Sequence, residues 1–181
     1  MTAHGFCLFE TPIGTCGIAW RGDVIAGTLL PADEGEDRTR ARMQRDFAGA
    51  AEVSPPLWVQ TVIGRVRQLL EGRSDDLADL PLDMTGVPDF NRRVYEVARA
   101  IAPGQTLSYG EVAAMLGDPA AARAVGQALG HNPFAPIVPC HRVLAAGKRS
   151  GGFSAGGGVA TKLKMLQIEN AQLGDGPGLF D

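Results

Sequence analysis

Pro139, Cys140, His141 and Arg142, delivered by the apolar run Phe134 to Val138, are the residues whose types and order could do chemistry. A thiol is a strong nucleophile only as its thiolate, so its free pKa of about 8.5 must be lowered by a neighbouring base or positive charge. An imidazole and a guanidinium follow Cys140 directly. Pro139 fixes φ and removes a backbone donor, which stiffens the approach to the cysteine. On a strand, Cys140 and His141 would point to opposite sides. His141 can therefore serve the thiol only if the chain turns at Cys140, or through a water. A buried cysteine beside a surface histidine has the same sequence, so the dipeptide leaves both readings open.

Metal chemistry finds less support. Cys7, Cys16, Cys140, His4, His131 and His141 contain no paired C-x2-C or H-x3-H spacing, and His4, Cys7 and Cys16 are the nearest approach to a ligand set. No metal and no other cofactor is expected. An odd cysteine count argues against a disulfide framework and for at least one free thiol.

The elements that must position these residues follow from hydrophobic periodicity. Residues 6–10, 15–20 and 24–30 are short apolar runs separated by Gly- and Asp-containing turns, the pattern of antiparallel hairpins. A charged helix with few buried positions is expected over 37–47, ended by Pro55-Pro56. Val59, Val62, Ile63, Val66, Leu69 and Leu70 share one helical face, with Gly72 as the stop. Residues 79–84 read as a short return strand. A boundary near residue 84 separates an N-terminal supporting domain, 1–84, from a second domain, 85–171, with a loosely held tail over 172–181.

In the second domain Asp89 is the expected N-cap of a helix over 90–101, with Phe90, Val94, Val97 and Ile101 inward. Ser108 and Glu111 form a capping box that opens a helix ending at Gly117. Asp118-Pro119 restarts the chain into an Ala- and Gly-rich helix that stops at Gly130. Helix, short turn, helix is the helix-turn-helix layout, and equally the layout of a tightly packed core pair. The fold class is α+β: a small N-terminal antiparallel sheet with helices, and a mostly helical, winged-helix-like C-terminal domain.

Composition restricts the function classes. The chain has 181 residues, 45% hydrophobic and 20% charged, and no apolar run approaches the about 18 residues that span a bilayer. The N-terminus lacks the pattern of a secretion signal. A cytoplasmic monomer without membrane contact is expected. The net charge of −3 divides unevenly: residues 1–83 hold 8 Lys/Arg and 13 Asp/Glu, residues 84–181 hold 9 and 7. The mildly basic C-terminal half permits DNA contact there, although a strong phosphate binder shows a denser patch.

Pro139-Cys140-His141-Arg142-Val143, preceded by Asn132-Pro133 and by Arg123-Ala124-Val125-Gly126, resembles the O6-alkylguanine-DNA alkyltransferase family. The likeness covers nearly the whole chain. Residues 11–14 (TPIG), 88–90 (PDF), 108–113 (SYGEVA) and the last helix from Lys162 to Glu169 also match. The resemblance implies direct transfer of an alkyl group from O6-alkylguanine in double-stranded DNA to Cys140, once per molecule. His141 would act as base through a bound water, Glu169 would orient it, and Asn132 would brace the turn. Base flipping would proceed from the minor groove, largely independent of sequence. Arg123 would fill the gap in the stack, Tyr109 would press on the phosphate, and the small residues Ala124 and Gly126 would suit a narrow groove. Pro139, Val143, Phe153 and Ser154 would frame the base, read by the carbonyls of Cys140 and Val143 and the N–H of Ser154.

The chain departs from the family's pattern at Phe153, where a tyrosine is usual. The resemblance implies that the tyrosine hydroxyl donates to guanine N3; phenylalanine stacks but cannot donate, so slower transfer or a different alkyl preference is expected. The loop that follows, 154–161, is longer than usual, and Asn91 and Tyr95 replace the common Gln and Trp as packing changes. The sequence leaves two rival readings. A non-enzymatic sensor of alkylated bases would need no acceptor cysteine. A thiol hydrolase of another fold would leave RAVG and the Tyr109 segment without a role.

Overall fold

Three strands, β1 (Gly5–Thr11), β2 (Gly14–Arg21) and β3 (Val24–Leu29), form an antiparallel meander, and the two-residue β4 (Ala51–Glu52) adds to β1 in parallel. The order is β3-β2-β1-β4 in this computed structural model, which describes residues 3–149 and 157–173. Side chains alternate across the sheet with period two. Cys7, Phe9, Cys16, Ile18 and Trp20 face the helix α2 (Leu57–Leu70), while Phe6 and Ala19 face Met43 of α1 (Glu36–Asp46). Both faces are covered, so the strands are apolar on both sides. Gly17 makes the second layer possible: a Cβ there would meet the Met43 sulfur at 2.6 Å. All six apolar positions expected on α2 are buried, each stabilising by about 1.5–3 kcal/mol relative to exposure. Helix α1 buries Thr39 and Met43 alone, in keeping with its charged sequence. Cys7 and Cys16 are free thiols that behave as small core hydrophobes.

The segment 79–84 differs from expectation: it forms no strand, only a single bridge of Leu82 to Ile25. The bridge is made by backbone bonds, Ile25 N to the Pro81 carbonyl at 2.8 Å and Asp83 N to the Ile25 carbonyl at 2.9 Å; beside it Arg21 pairs with Asp83, and Arg99 donates to the carbonyls of Leu77 and Leu80.

Helix α3 spans Asp89–Arg99 and begins one residue earlier than expected. Asp89 is not the N-cap. Pro88 occupies that position without a side-chain bond, and Asp89 lies in the first turn, 3.3 Å from Arg92, where its charge favours the helix dipole. Val94, Tyr95, Ala98 and Ile101 are buried, whereas Phe90 and Val97 are half-buried. The Tyr95 hydroxyl donates to the Ala128 carbonyl at 2.7 Å.

Strand β5 (Leu107–Ser108) leads into α4 (Tyr109–Met115), whose capping box is complete: Ser108 Oγ accepts from Glu111 N, and Glu111 reaches back to Ser108 N. The following segment divides into a 3-10 turn, Pro119–Ala121, and the helix α5 (Ala122–Gly130). Asp118 caps that turn by accepting from Ala120 N. A second 3-10 turn, Cys140–Arg142, is followed by β6 (Val143–Leu144), which pairs in parallel with β5. Helix α6 (Gly158–Ile168) closes the described chain. One hydrophobic cluster runs from Ile18 and Val66 through Val94 to Val138 and Met165, joining sheet, α2 and the C-terminal helices. No helix among the described residues is long and apolar enough to cross a membrane.

Candidate functional site

The chain turns at Cys140. The 3-10 conformation of Cys140–Arg142 removes the strand objection, because neighbouring side chains no longer alternate across a plane. Behind the cysteine lies a buried triad of charge. His141 Nε2 is 2.8 Å from Glu169 Oε1. Arg142 grips the same carboxylate through two nitrogens, Nε to Oε2 at 2.9 Å and Nη2 to Oε1 at 2.7 Å, and donates to the Ile101 carbonyl at 2.7 Å. The side chains of Arg142 and Glu169 are 1% and 3% exposed, so the pair stands in a low dielectric. There each ion depends on the other for compensation.

The protonation pattern follows from this packing. Burial works to raise the Glu169 pKa, but the hydrogen bonds and charges of His141 and Arg142 outweigh it and hold the carboxyl at about 2. Burial lowers the His141 pKa, against the pull of Glu169. The ring is therefore neutral near pH 7, with its one proton on Nε2, donated to the carboxylate. Nδ1 keeps a free lone pair and has no partner among the described residues. Burial also raises the Cys140 pKa, opposed by a hydrogen bond from Asn132 and by the charge of Lys162. The resting thiol is thus protonated, and a base must remove its proton for reaction.

Asn132 sits in the turn between α5 and Cys140. Its Nδ2 donates to the Val138 carbonyl at 2.8 Å and its Oδ1 accepts from Phe134 N at 2.9 Å, closing the loop that carries the cysteine. Tyr109 is brought to the same region because the β5–β6 pairing ties the start of α4 to the residues after Cys140. Gly126 packs against the Tyr109 ring, where a Cβ would lie 3.9 Å away. Arg123 stands exposed in the first turn of α5, with Ala124 half-buried beside it. Pro139 and Val143 are buried on either side of the 3-10 turn. Phe153 and Ser154 lie outside the described residues, as does most of the tail.

Lys162 was missed as a site residue, although it stands in the last helix's matching segment. Its Nζ donates to the Val143 carbonyl at 2.8 Å, lies 3.5 Å from Tyr109 Oη and is fully buried. The Val143 carbonyl expected to read guanine is therefore already in use, with one lone pair left for a base. No periodicity marks a buried lysine; only its place among apolar neighbours in α6 could have signalled it. Burial holds its pKa at about 8 against an ordinary 10.5, the Cys140 sulfur pulling the other way. The unfolded chain binds this proton more tightly, so the buried charge costs stability below about pH 8 and the cost fades as pH rises toward 10.5. Wild type is expected to gain stability relative to Lys162→Met across that window, by on the order of 1–3 kcal/mol in urea midpoints. A constant difference would contradict the buried, titrating ammonium.

Cys140 is 8% exposed and is not sealed. It lines a cavity of about 600 Å³, together with Leu129 and Gly130 at the end of α5, Asn132 and Ala135 of the turn, and Thr28, Arg42 and Phe47 from the sheet side. The N-terminal half, silent in the sequence, thus supplies one wall of the space beside the thiol.

Fold and site together define a small α+β protein that presents one activatable thiol, backed by an imidazole–carboxylate pair, next to a paired-helix unit. Residues 89–171 match the family described as 6-O-methylguanine DNA methyltransferase, DNA binding domain. The methylated-DNA–protein-cysteine methyltransferase of Mycobacterium tuberculosis is 35% identical over 95% of this chain and 96% of its own. That of Methanothermobacter thermautotrophicus is 32% identical over 90% and 83%. The crystal structure of M. tuberculosis OGT in complex with DNA superposes with a TM-score of 0.74 at 32% identity, covering 92% of each chain. The O6-methylguanine-DNA methyltransferase of Pyrococcus kodakaraensis gives 0.72 at 25% identity, covering 92% of this chain and 99% of that one. The chain belongs to the methylated-DNA–protein-cysteine methyltransferase family.

Proposed function

We propose that this protein repairs DNA by moving the alkyl group of O6-alkylguanine onto the sulfur of Cys140, as a cytoplasmic monomer. The observation that carries the reading is the 3-10 turn at Cys140, which frees the cysteine and His141 from strand alternation, together with a buried imidazole whose Nε2 is committed to the Glu169 carboxylate and whose Nδ1 has no partner among the described residues. The thiol proton passes to Nδ1 through a bridging water, and Glu169 stabilises the imidazolium that forms. The thiolate then attacks the alkyl carbon in line. The carbon–sulfur bond forms as the carbon–O6 bond breaks, the electron pair goes to guanine, and the proton returns to the departing base. A thioether offers no leaving group to water, so each molecule reacts once.

The lesion is stacked inside duplex DNA and has to be extruded. Arg123, exposed on the first turn of α5, enters the stack from the minor groove; Tyr109 presses on the backbone, and Ala124 and Gly126 let the helix lie close. Residues 1–84 support the reacting domain. Intact-mass measurement after incubation with O6-methylguanine duplex tests the whole scheme: one methyl per protein, on Cys140, is expected. Tight binding with unchanged mass would instead make the protein a sensor. Arg123→Ala is expected to slow transfer from duplex roughly tenfold while leaving single-stranded substrate nearly unaffected, since only the duplex charges the few kcal/mol of unstacking. Equal losses on both substrates would remove the finger role.

A further inference from the structure

In-line displacement fixes where the rest of the alkyl group must go. Sulfur, carbon and O6 lie on one axis, so any further substituent on that carbon points sideways from Cys140. A methyl group needs no room there. A longer group needs a void that adjoins Cys140 but is separate from the place of the base, beside Pro139 and Val143. The cavity of about 600 Å³ meets both conditions, because Cys140 lines it and neither Pro139 nor Val143 does. Its walls are held together across the two halves of the chain: Thr28 N donates to the Pro133 carbonyl at 2.9 Å and Thr28 Oγ1 to that of Ala135 at 2.6 Å.

The cavity also has a charge pattern. Arg42 of α1 lines it, half-buried, and makes no hydrogen bond or ion pair among the described residues. Its natural partner would be Asp46, one helical turn on and also lining the cavity, since opposite charges at this spacing pair readily. Asp46 instead accepts from Arg45 Nε at 2.8 Å. The Arg42 guanidinium is left as a planar donor fork, the geometry that matches a carboxylate.

We propose that this cavity receives the substituent of the transferred group, and that Arg42 makes the protein selective for anionic substituents of the carboxymethyl class over neutral ones of equal length. The inference rests on alkyl transfer to Cys140 as argued above. The same bond changes apply: sulfur takes the CH2 carbon, guanine leaves with the electron pair and a proton, and the carboxylate takes no part in the chemistry. Arg42 is a specificity residue that contacts the moving group and not the reacting bond.

The test compares single-turnover transfer from duplexes carrying O6-carboxymethylguanine, O6-propylguanine and O6-methylguanine. In wild type the carboxymethyl group is expected to move faster than propyl. Arg42→Gln should lower that ratio roughly tenfold, as loss of a charge-assisted bond requires, and Arg42→Glu should lower it further, with methyl transfer unchanged in both. A carboxymethyl-to-propyl ratio that is the same in all three proteins, or a wild type that transfers methyl but not carboxymethyl, overturns the inference while leaving the reading beneath it intact. A folded wild type that transfers none of the three groups overturns both.

Discussion

Cys140→Ala is expected to leave a protein that folds, binds O6-methylguanine duplex as tightly as wild type and never gains mass. The sulfur is the only protein atom in the scheme that bonds the alkyl carbon, so no residual route exists and transfer should fall below detection. Folding should survive because the change removes one polarisable atom beside an existing cavity. Deletions of this size in a core cost on the order of 1–2 kcal/mol. The two measurements are intact mass after long incubation and binding by fluorescence anisotropy. Methyl appearing on this variant, at Cys7 or Cys16, would defeat the assignment. Those thiols are poor candidates: burial raises Cys7 to about 11 and Cys16 to about 12, and, unlike Cys140, neither is followed by a histidine that could take its proton.

Glu169→Gln carries the second largest effect, and it acts on two properties at once. The carboxylate accepts from His141 and from two nitrogens of Arg142 with almost no solvent contact. A glutamine amide can accept at one atom only and brings a donor face to face with a guanidinium. The buried Arg142 charge is then uncompensated, which costs about 3–5 kcal/mol. A lowered urea midpoint near neutral pH is the expected reading. The sign with pH follows from the shift: Glu169 ionises at about 2 when folded against 4.5 ordinarily. Its contribution is complete above about pH 4.5 and is lost as pH falls toward about 2, so the wild-type advantage should shrink across that range. In transfer, the imidazolium loses its counter-charge and Nδ1 loses basicity. A rate on the order of a hundredfold lower is expected at a temperature where the variant is folded. A folded variant reacting at near the wild-type rate would remove His141 as the base.

The two effects separate what local sequence encodes from what packing adds. The elements were legible wherever the pattern is periodic and short in range. The six apolar positions of α2, the alternation in β1 to β3 and the Ser108–Glu111 box are local statements, satisfied by residues within a turn or a pleat of one another. Expectations failed at two element ends, for different reasons. Residues 79–84 meet β3 through a single bridge, flanked by the side chains of Arg21 and Arg99, and so form no strand; Asp89 falls one residue inside its helix, beside Arg92, and Pro88 takes the cap position. The two-residue β5–β6 ladder, too short to show a period, went unseen although it brings Tyr109 toward Cys140.

The sequence by itself determined the nucleophile, its neighbouring imidazole, the helix pair and, through the residues around Cys140, the family. Those signals survive in one dimension because chemistry and capping need particular residue types at fixed short spacings. Only the tertiary structure decided that Arg142 shares the Glu169 carboxylate with His141, that Lys162 lies buried against Val143, and that Arg42 lines the space beside the thiol. Those partners stand between 19 and 98 residues apart along the chain. Burial, which sets the charge states of the site, is a property of everything packed around a group, and no local pattern records it.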